Sequence, residues 1–314
     1  MNAIVGHTGF VGSNIDRFAH FDCKYNTANI AQAYGTKPEL LVYAGIPAEK
    51  YLANNDPAAD LARIREGFEN ISKINPDKLV LISTADVYRD PAGVDEATQI
   101  ATDGLHAYGL HRYRLEQWVR DAYPNATIVR LPGLYGAGIK KNLIYDFINR
   151  IPFMLTQSKY QALVAEDDYI VPFYEPLPNG FYRCAYHTED ERLSLKAYFE
   201  RIGFSALQFT DSRSRFQFYP LTRLWHDLQS ILRNDIQLIN IATEPVTAGE
   251  MYAALTGETF DNVLASEPAN YDIRSRYAGL LGSATPYMLD KPFILADIRN
   301  FVATADGPQP AAVL

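Results

Sequence analysis

Seven residues near the start of the chain, Gly6-His7-Thr8-Gly9-Phe10-Val11-Gly12, constrain its fold more than any other segment. They follow Ala3-Ile4-Val5, a short apolar run of the kind that forms a buried strand, and they lead into a helical spacing through Ile15 and Phe18. In such a turn the first glycine permits the tight bend and the second lets a pyrophosphate approach the backbone. The third lets helix and strand pack closely, while the first N–H groups of the helix are left without partners inside it. Gly6, Gly9 and Gly12, with Thr8, Phe10 and Val11 between them, are therefore candidate contacts to a dinucleotide. A plain glycine-rich turn is the simpler alternative, and the place between strand and helix weighs against it.

The residues that follow repeat the same alternation. Cys23 to Tyr25, Leu40 to Tyr43, Lys78 to Ile82 and Ala126 to Leu131 read as short strands, and KLVLI is a continuous run suited to a strand covered on both faces. Asp56-Pro57 is a helix start, an N-cap with proline at the first helical position, and Leu61, Ile64, Phe68 and Ile71 form one apolar stripe behind it. Tyr108, Arg112, Leu115 and Val119 mark another helix. Strands alternating with helices through short connections predict an α/β fold, a Rossmann-type doubly wound parallel sheet. After about Lys140 the rhythm breaks, and residues 155–210 carry many aromatics with one clear helix, Asp190 to Ile202. The expected division is a dinucleotide-binding domain over 1–150, with a strand and helix returning to it near 222–243. A smaller C-terminal α/β substrate lobe takes 151–221 and 244–304, and 305–314 is a disordered tail.

Composition narrows the function classes. Of 314 residues 47% are hydrophobic, and 29 Lys+Arg against 37 Asp+Glu leave a formal charge of -8. An acidic chain without a basic cluster excludes nucleic acid and anionic membranes as main partners, but leaves room for small phosphorylated ligands at a locally positive site. No apolar run approaches membrane-spanning length and no leader precedes the first strand, so a cytoplasmic protein is expected. The two cysteines, Cys23 and Cys184, read as reduced thiols. His106 and His111 have no companions at ligand spacing, so no metal is expected, and His111 reads as a helix-surface residue. The acidic residue that often grips the adenosine ribose after the second strand is missing: between Asp22 and Glu39 there is no Asp, Glu or Arg. Asn26 and Asn29 can hydrogen-bond ribose hydroxyls, and Lys24 can serve a 2′-phosphate only if it points outward. NAD and NADP both stay open as cofactors, with NAD favoured.

Six segments in order, GHTGFVG at 6–12, LVYAG at 41–45, LISTADVY at 81–88, YGLHR at 108–112, RLPGLYG at 130–136 and RFQFYPLTRLW at 215–225, resemble the extended short-chain dehydrogenase/reductase family, the NAD-dependent epimerase/dehydratases. The resemblance covers 1–150 and, more weakly, 213–302. It implies a catalytic Thr84, Tyr108 and, in place of the family's lysine in Tyr-x-x-x-Lys, Arg112. It also adds Ala44, Gly45, Ser83 and Leu131 to the residues that line the cofactor. Tyr108 and Arg112 share a helix face, and a phenol of reference pKa about 10 needs a neighbouring cation to act as an acid/base near neutrality. Arginine keeps the charge with a different reach and geometry, so the exchange is not conservative. Related dehydratases have two acidic residues after the threonine. Here these are Ala85 and Asp86, which keeps a candidate carbon base and loses its paired acid. Lys50 can supply an extra amine, although an exposed loop lysine is the simpler reading.

On the substrate side the resemblance points to Lys140, Asn142 and Arg215, the last as a phosphate grip, while Gly133 replaces an asparagine common in sugar-nucleotide epimerases. The aromatics Phe216, Phe218, Tyr219 and Trp225 read as core. The implied function is an NAD(P)-dependent oxidoreductase or epimerase acting on a nucleotide-linked or phosphorylated sugar, working as a homodimer through helices at 57–72 and 105–122. The alternatives are a catalytically degenerate dinucleotide-binding protein and a reductase of a non-sugar carbonyl.

Overall fold

In the computed structural model, residues 1–177 and 179–305 are described. Six strands form one parallel sheet: β1 Asn2–Val5, β2 Cys23–Tyr25, β3 Leu40–Tyr43, β4 Lys78–Thr84, β5 Thr127–Leu131 and β6 Leu238–Asn240. Their order across the sheet is β6-β5-β4-β3-β1-β2, every neighbouring pair parallel. The chain thus leaves β1 for β2 on one side and continues with β3 on the other. Open parallel sheets bind ligands at such a switch, outside the carboxyl ends of the strands.

Both faces of the sheet are covered. Ala3, Val5, Leu41, Tyr43, Leu79, Leu81 and Ile128 pack with Ile64 and Ile71 of α3 (Pro57–Ile74) and with Leu115 and Val119 of α4 (Ala107–Ala122). The residues of opposite parity, Ile4, Val42, Val80 and Val129, are equally inaccessible. Asp56 caps α3 by accepting the Ala59 N–H, with Pro57 in the first turn, as its sequence predicts. The aromatics of the 216–225 segment divide between core and partial burial, with Phe218 and Tyr219 buried.

The chain divides into two compact units, residues 1–139, 215–247 and 269–297, and, of the described residues, 140–177, 179–214, 248–268 and 298–305. The boundaries fall near 139, 214 and 247 rather than at 150, 221 and 243, and residues 269–297 go with the first unit instead of the substrate lobe. The reason is backbone pairing: Arg215 donates its N–H to the Ala269 carbonyl, and Asp272–Ile273 pairs in parallel with Ala92–Val94. The second unit has its own core of Ile151, Leu155, Leu163, Tyr174, Leu195 and Phe199. Its antiparallel sheet sets Phe181–Cys184 between Met154–Thr156 and Tyr174–Pro176. The tail expected over 305–314 lies outside the described residues except for Ala305, which closes the helix Lys291–Ala305. No described helix is long and apolar enough to cross a membrane.

One polar cluster is set into the apolar core of the first unit. Arg130 on β5 and Glu116 on α4, 2% and 1% exposed, form a two-pronged ion pair with contacts of 3.0, 3.1 and 2.5 Å. Ser83 at the end of β4 donates to the same carboxylate at 2.6 Å, and the Tyr88 hydroxyl accepts from Arg130 at 2.9 Å. Burial opposes the charge on Arg130, but Glu116 and Tyr88 outweigh it and raise its pKa. Removing one partner from such a pair leaves a bare charge in the core, which costs roughly 3–5 kcal/mol. Glu116→Ala is therefore expected to lose that much in urea unfolding, while the double replacement Glu116→Leu/Arg130→Met loses clearly less. Equal losses in the two proteins contradict the assignment.

Candidate active site

The carboxyl ends of β1, β3 and β4 lie in register, with Val5 opposite Tyr43 and Tyr43 opposite Leu81. This aligns the Gly6 turn, Ala44-Gly45 and Ser83-Thr84 along one edge. At the β1/β3 switch a cavity of about 480 Å³ is lined by Gly6, Thr8, Gly9, Asn26, Thr27, Ala44, Gly45 and residues of α3. Gly6 has φ +87, and a Cβ there would stand 2.4 Å from the Ala44 carbonyl oxygen; one on Gly12 would stand 2.1 Å from the Gly6 oxygen. Side chains at either position would force apart the elements that frame the cavity. The first amide of α1 (Phe10–Asp16) bonded back into the helix is that of Ser13, to the Gly9 carbonyl. Of the other expected contacts, Phe10 and Val11 sit in the first turn of α1, and Leu131 ends β5 opposite Thr84. A cavity of this size, with a glycine cradle at a switch point, fits part of a dinucleotide.

The loop after β2 is tied to itself. Asn26 accepts the Ala28 N–H through Oδ1, and Asn29 Oδ1 accepts the Asn26 N–H. Lys24 pairs with Asp16 at 2.8 Å, so its charge is already engaged.

Thr84, Asp86 and Tyr108 are brought together. Thr84 Oγ1 accepts the Asp86 N–H at 3.1 Å and also hydrogen-bonds Tyr108. Gly109 makes this possible, because a Cβ there would lie 2.1 Å from the Asp86 carbonyl oxygen. Its absence lets the first turn of α4 rest on the 85–87 turn. The same turn of α4 is held by His106, whose Nδ1 accepts the Gly109 N–H, and by Asn54, whose Oδ1 accepts the Tyr108 N–H. Burial raises the Tyr108 phenol above its ordinary pKa; Arg112 and the Thr84 bond pull down, while Asp86 and Asp60 push up. Burial lowers His106, helped by Lys50 and opposed by Asp86.

Arg112 lies against Tyr108, as their shared helix face predicts, but its guanidinium is already engaged. Its guanidinium lies 3.9 Å over the Tyr108 ring, donates from one nitrogen to both Asp60 oxygens (2.8 and 2.6 Å) and from the other to the Pro47 carbonyl (2.6 Å). It lines a separate hollow of about 230 Å³ with Asp56, Asp60 and Arg63. His111, expected on the helix surface, is instead 4% exposed with Nδ1 2.7 Å from Asp60, because α3 packs over that face of α4. Ser83 is spent on Glu116, as described above.

Two residues enter the site without a motif. Lys50 opens α2 (Lys50–Asn55) and places Nζ 2.9 Å from Asp86 Oδ1. The Tyr271 hydroxyl reaches the same oxygen at 3.4 Å, and burial together with Asp86 raises its pKa. Lys50 carries a weak signal in its closeness to the Ala44-Gly45 turn; Tyr271 carries none, being 185 residues from Asp86. Arg215 is tied to this region by the backbone, its carbonyl accepting the Tyr271 N–H, and its charge acts on Asp272, which pairs with Arg274 at 2.9 Å. Lys140 and Asn142 belong to the second unit, where Asn142 caps the helix Leu143–Asn149 by accepting from Ile144 and Tyr145. Gly133 pairs beside Phe218, where a Cβ would stand 2.7 Å from the Gln217 carbonyl oxygen. Among the described residues no three His, Cys, Asp or Glu gather as metal ligands.

Overpacking a tight contact costs about 1–3 kcal/mol. Gly109→Ala should lose stability in that range. It should also lift α4 from the 85–87 turn, seen as faster hydrogen exchange over residues 84–88 and 106–112. A variant as stable and as protected as the parent contradicts the close approach.

No protein-family model and no curated protein matches the sequence. Among solved structures the chain is similar to RMD from Pseudomonas aeruginosa, determined with NADPH, at 13% identity over 98% of this chain and 99% of that one, TM-score 0.63. It is similar to UDP-N-acetylglucosamine 4-epimerase from Methanobrevibacter ruminantium M1 in complex with UDP-N-acetylmuramic acid, at 12% identity over 96% and 97%, TM-score 0.61. A third is TunA, an NAD-dependent NDP-hexosamine 5,6-dehydratase of tunicamycin biosynthesis, at 12% identity over 98% of each chain, TM-score 0.63. With its parallel sheet, its switch-point cavity and these matches along nearly its whole length, the chain has the extended short-chain dehydrogenase/reductase fold of the NAD-dependent epimerase/dehydratases.

Proposed function

We propose that this protein is a nicotinamide-dinucleotide-dependent enzyme that oxidises, reduces or epimerises a carbon–oxygen centre on a nucleotide-linked or phosphorylated sugar. The observation that carries the reading is the placement of Thr84, Asp86 and Tyr108 on the same sheet edge as the glycine cradle. Gly6, Thr8, Gly9, Ala44 and Gly45 would hold the dinucleotide. Bound nicotinamide supplies the acceptor or donor of hydride. Tyr108 moves the hydroxyl proton at its phenol oxygen, Thr84 orients the reacting oxygen, and Asp86 is the base available for a carbon-bound proton. Arg112 fixes the phenol ring and contributes charge that Asp60 largely offsets. Arg215 would meet a phosphate of the substrate. The solved relatives named above include proteins complexed with NADPH and with a UDP-sugar, which supports this class of ligand.

The engaged Arg112 also favours a second reading, a dinucleotide-binding protein without turnover. The two readings part on one experiment: titration of the full chain with NADH by fluorescence, then incubation with NAD+ and UDP-glucose, UDP-N-acetylglucosamine, dTDP-glucose or GDP-mannose, followed at 340 nm and by mass spectrometry. An active enzyme converts at least one sugar, and Tyr108→Phe lowers that rate by 10²-fold or more, in the range expected for a lost acid/base. Binding without conversion of any sugar selects the silent protein, and absence of binding contradicts both.

Lys24 is paired with Asp16, and residues 26–30 directly after β2 include no Lys or Arg to meet a 2′-phosphate, so NAD is the cofactor this reading prefers. NADH should bind about tenfold or more tightly than NADPH; the reverse order contradicts the preference. The working form in this reading is a cytoplasmic homodimer formed through α3 and α4, to be checked by light scattering.

A further inference from the structure

We propose that Lys50 is the proton donor paired with Asp86, and that together they enolise a ketone at the reacting end of the site. This rests on the carbonyl chemistry proposed above and extends it to the carbon next to the carbonyl. Lys50 Nζ stands 2.9 Å from Asp86 Oδ1, and its side chain is 43% exposed. The helix that carries it is tied to α4, where Asn54 accepts the Tyr108 N–H, which keeps Lys50 near the phenol. Tyr271 reaches the same Oδ1, and among the described residues Oδ2 has no hydrogen-bond partner. One oxygen of the carboxylate is anchored and the other is open, as a base requires. A half-exposed pair of this kind adds little to stability, so the fold itself does not call for it.

The choice of Lys50 over Arg112 follows from chemistry. A guanidinium does not give up its proton in a protein, whereas an ammonium does. Arg112 is also buried against Asp60 and the Pro47 carbonyl, while Lys50 has one partner that it can exchange. Ala85 brings no titratable group beside Asp86, and Lys50, arriving from the segment after another strand end, does.

The step balances without an oxidant. Asp86 takes the proton from the carbon beside the carbonyl, and that C–H electron pair becomes the new C=C bond. The carbonyl π pair moves to oxygen, which takes a proton from the Lys50 ammonium. Asp86 is left as the acid, Lys50 as the amine and the sugar as an enol. Reversal returns the proton to carbon, and exchange of Asp86 with solvent in between labels that carbon.

The test uses the full chain with dTDP-4-keto-6-deoxyglucose in D2O, with deuterium at the carbons next to the ketone read by NMR. NADH titrations run in parallel. The wild-type protein should speed exchange above the buffer rate. Lys50→Met and Asp86→Asn should each lower it about 100-fold while NADH binding stays within twofold, and Lys50→Arg should not restore it. Wild-type exchange no faster than buffer, or Lys50→Met and Lys50→Arg exchanging like wild type, overturns the assignment. If NADH binds but the ketone is inert, this inference alone fails; if NADH does not bind, the proposed function fails with it.

Discussion

The buried carboxylate of Glu116 is the constraint on which the site geometry depends. It accepts from Arg130 on β5 and from Ser83 at the end of β4, while Glu116 itself belongs to α4. Three elements are thereby locked through one charged group in a low-dielectric interior, where an unpaired charge is costly and a satisfied one is rigid. Thr84 follows Ser83, and Tyr108 lies two turns before Glu116 on α4. Fixing the carboxylate therefore helps to fix the distance between the Thr84 hydroxyl and the Tyr108 phenol. Gly109 completes the arrangement by letting the helix rest directly on the Asp86 backbone.

A second constraint is shape. The parallel strands end together, so residues far apart in sequence share one edge, and the reversal of strand order at β1 opens a cavity above it. The glycines of the first turn keep that cavity open by allowing backbones to meet where side chains would collide.

Charge is distributed in neutral pairs around the phenol: Arg112 with Asp60, and Lys50 with Asp86. The two pairs differ in accessibility and in chemistry. The arginine pair is buried between α3 and α4 and behaves as a strut. The lysine pair opens to the surface, and its members can exchange partners and protons.

The strand-helix alternation, the glycine turn and the cap at Asp56 were legible because each rests on local spacing, which sequence records directly, whereas the threonine–tyrosine pair came only from the family resemblance. The roles of Arg112 and His111 were not legible: their helical positions are clear, but whether a face meets solvent or α3 depends on a contact with Asp60 some fifty residues away. The capping of Leu143–Asn149 by Asn142 was not read from the sequence either. Lys50 and Tyr271 converge on Asp86 from opposite ends of the chain, a meeting no motif encodes. Sequence by itself determined the sheet, the turn and the types of residue available for chemistry, because periodicity and backbone freedom act over a few neighbours. Tertiary structure alone decided which charges are paired, which are buried and which ammonium stands beside Asp86, because those depend on distances across the folded chain.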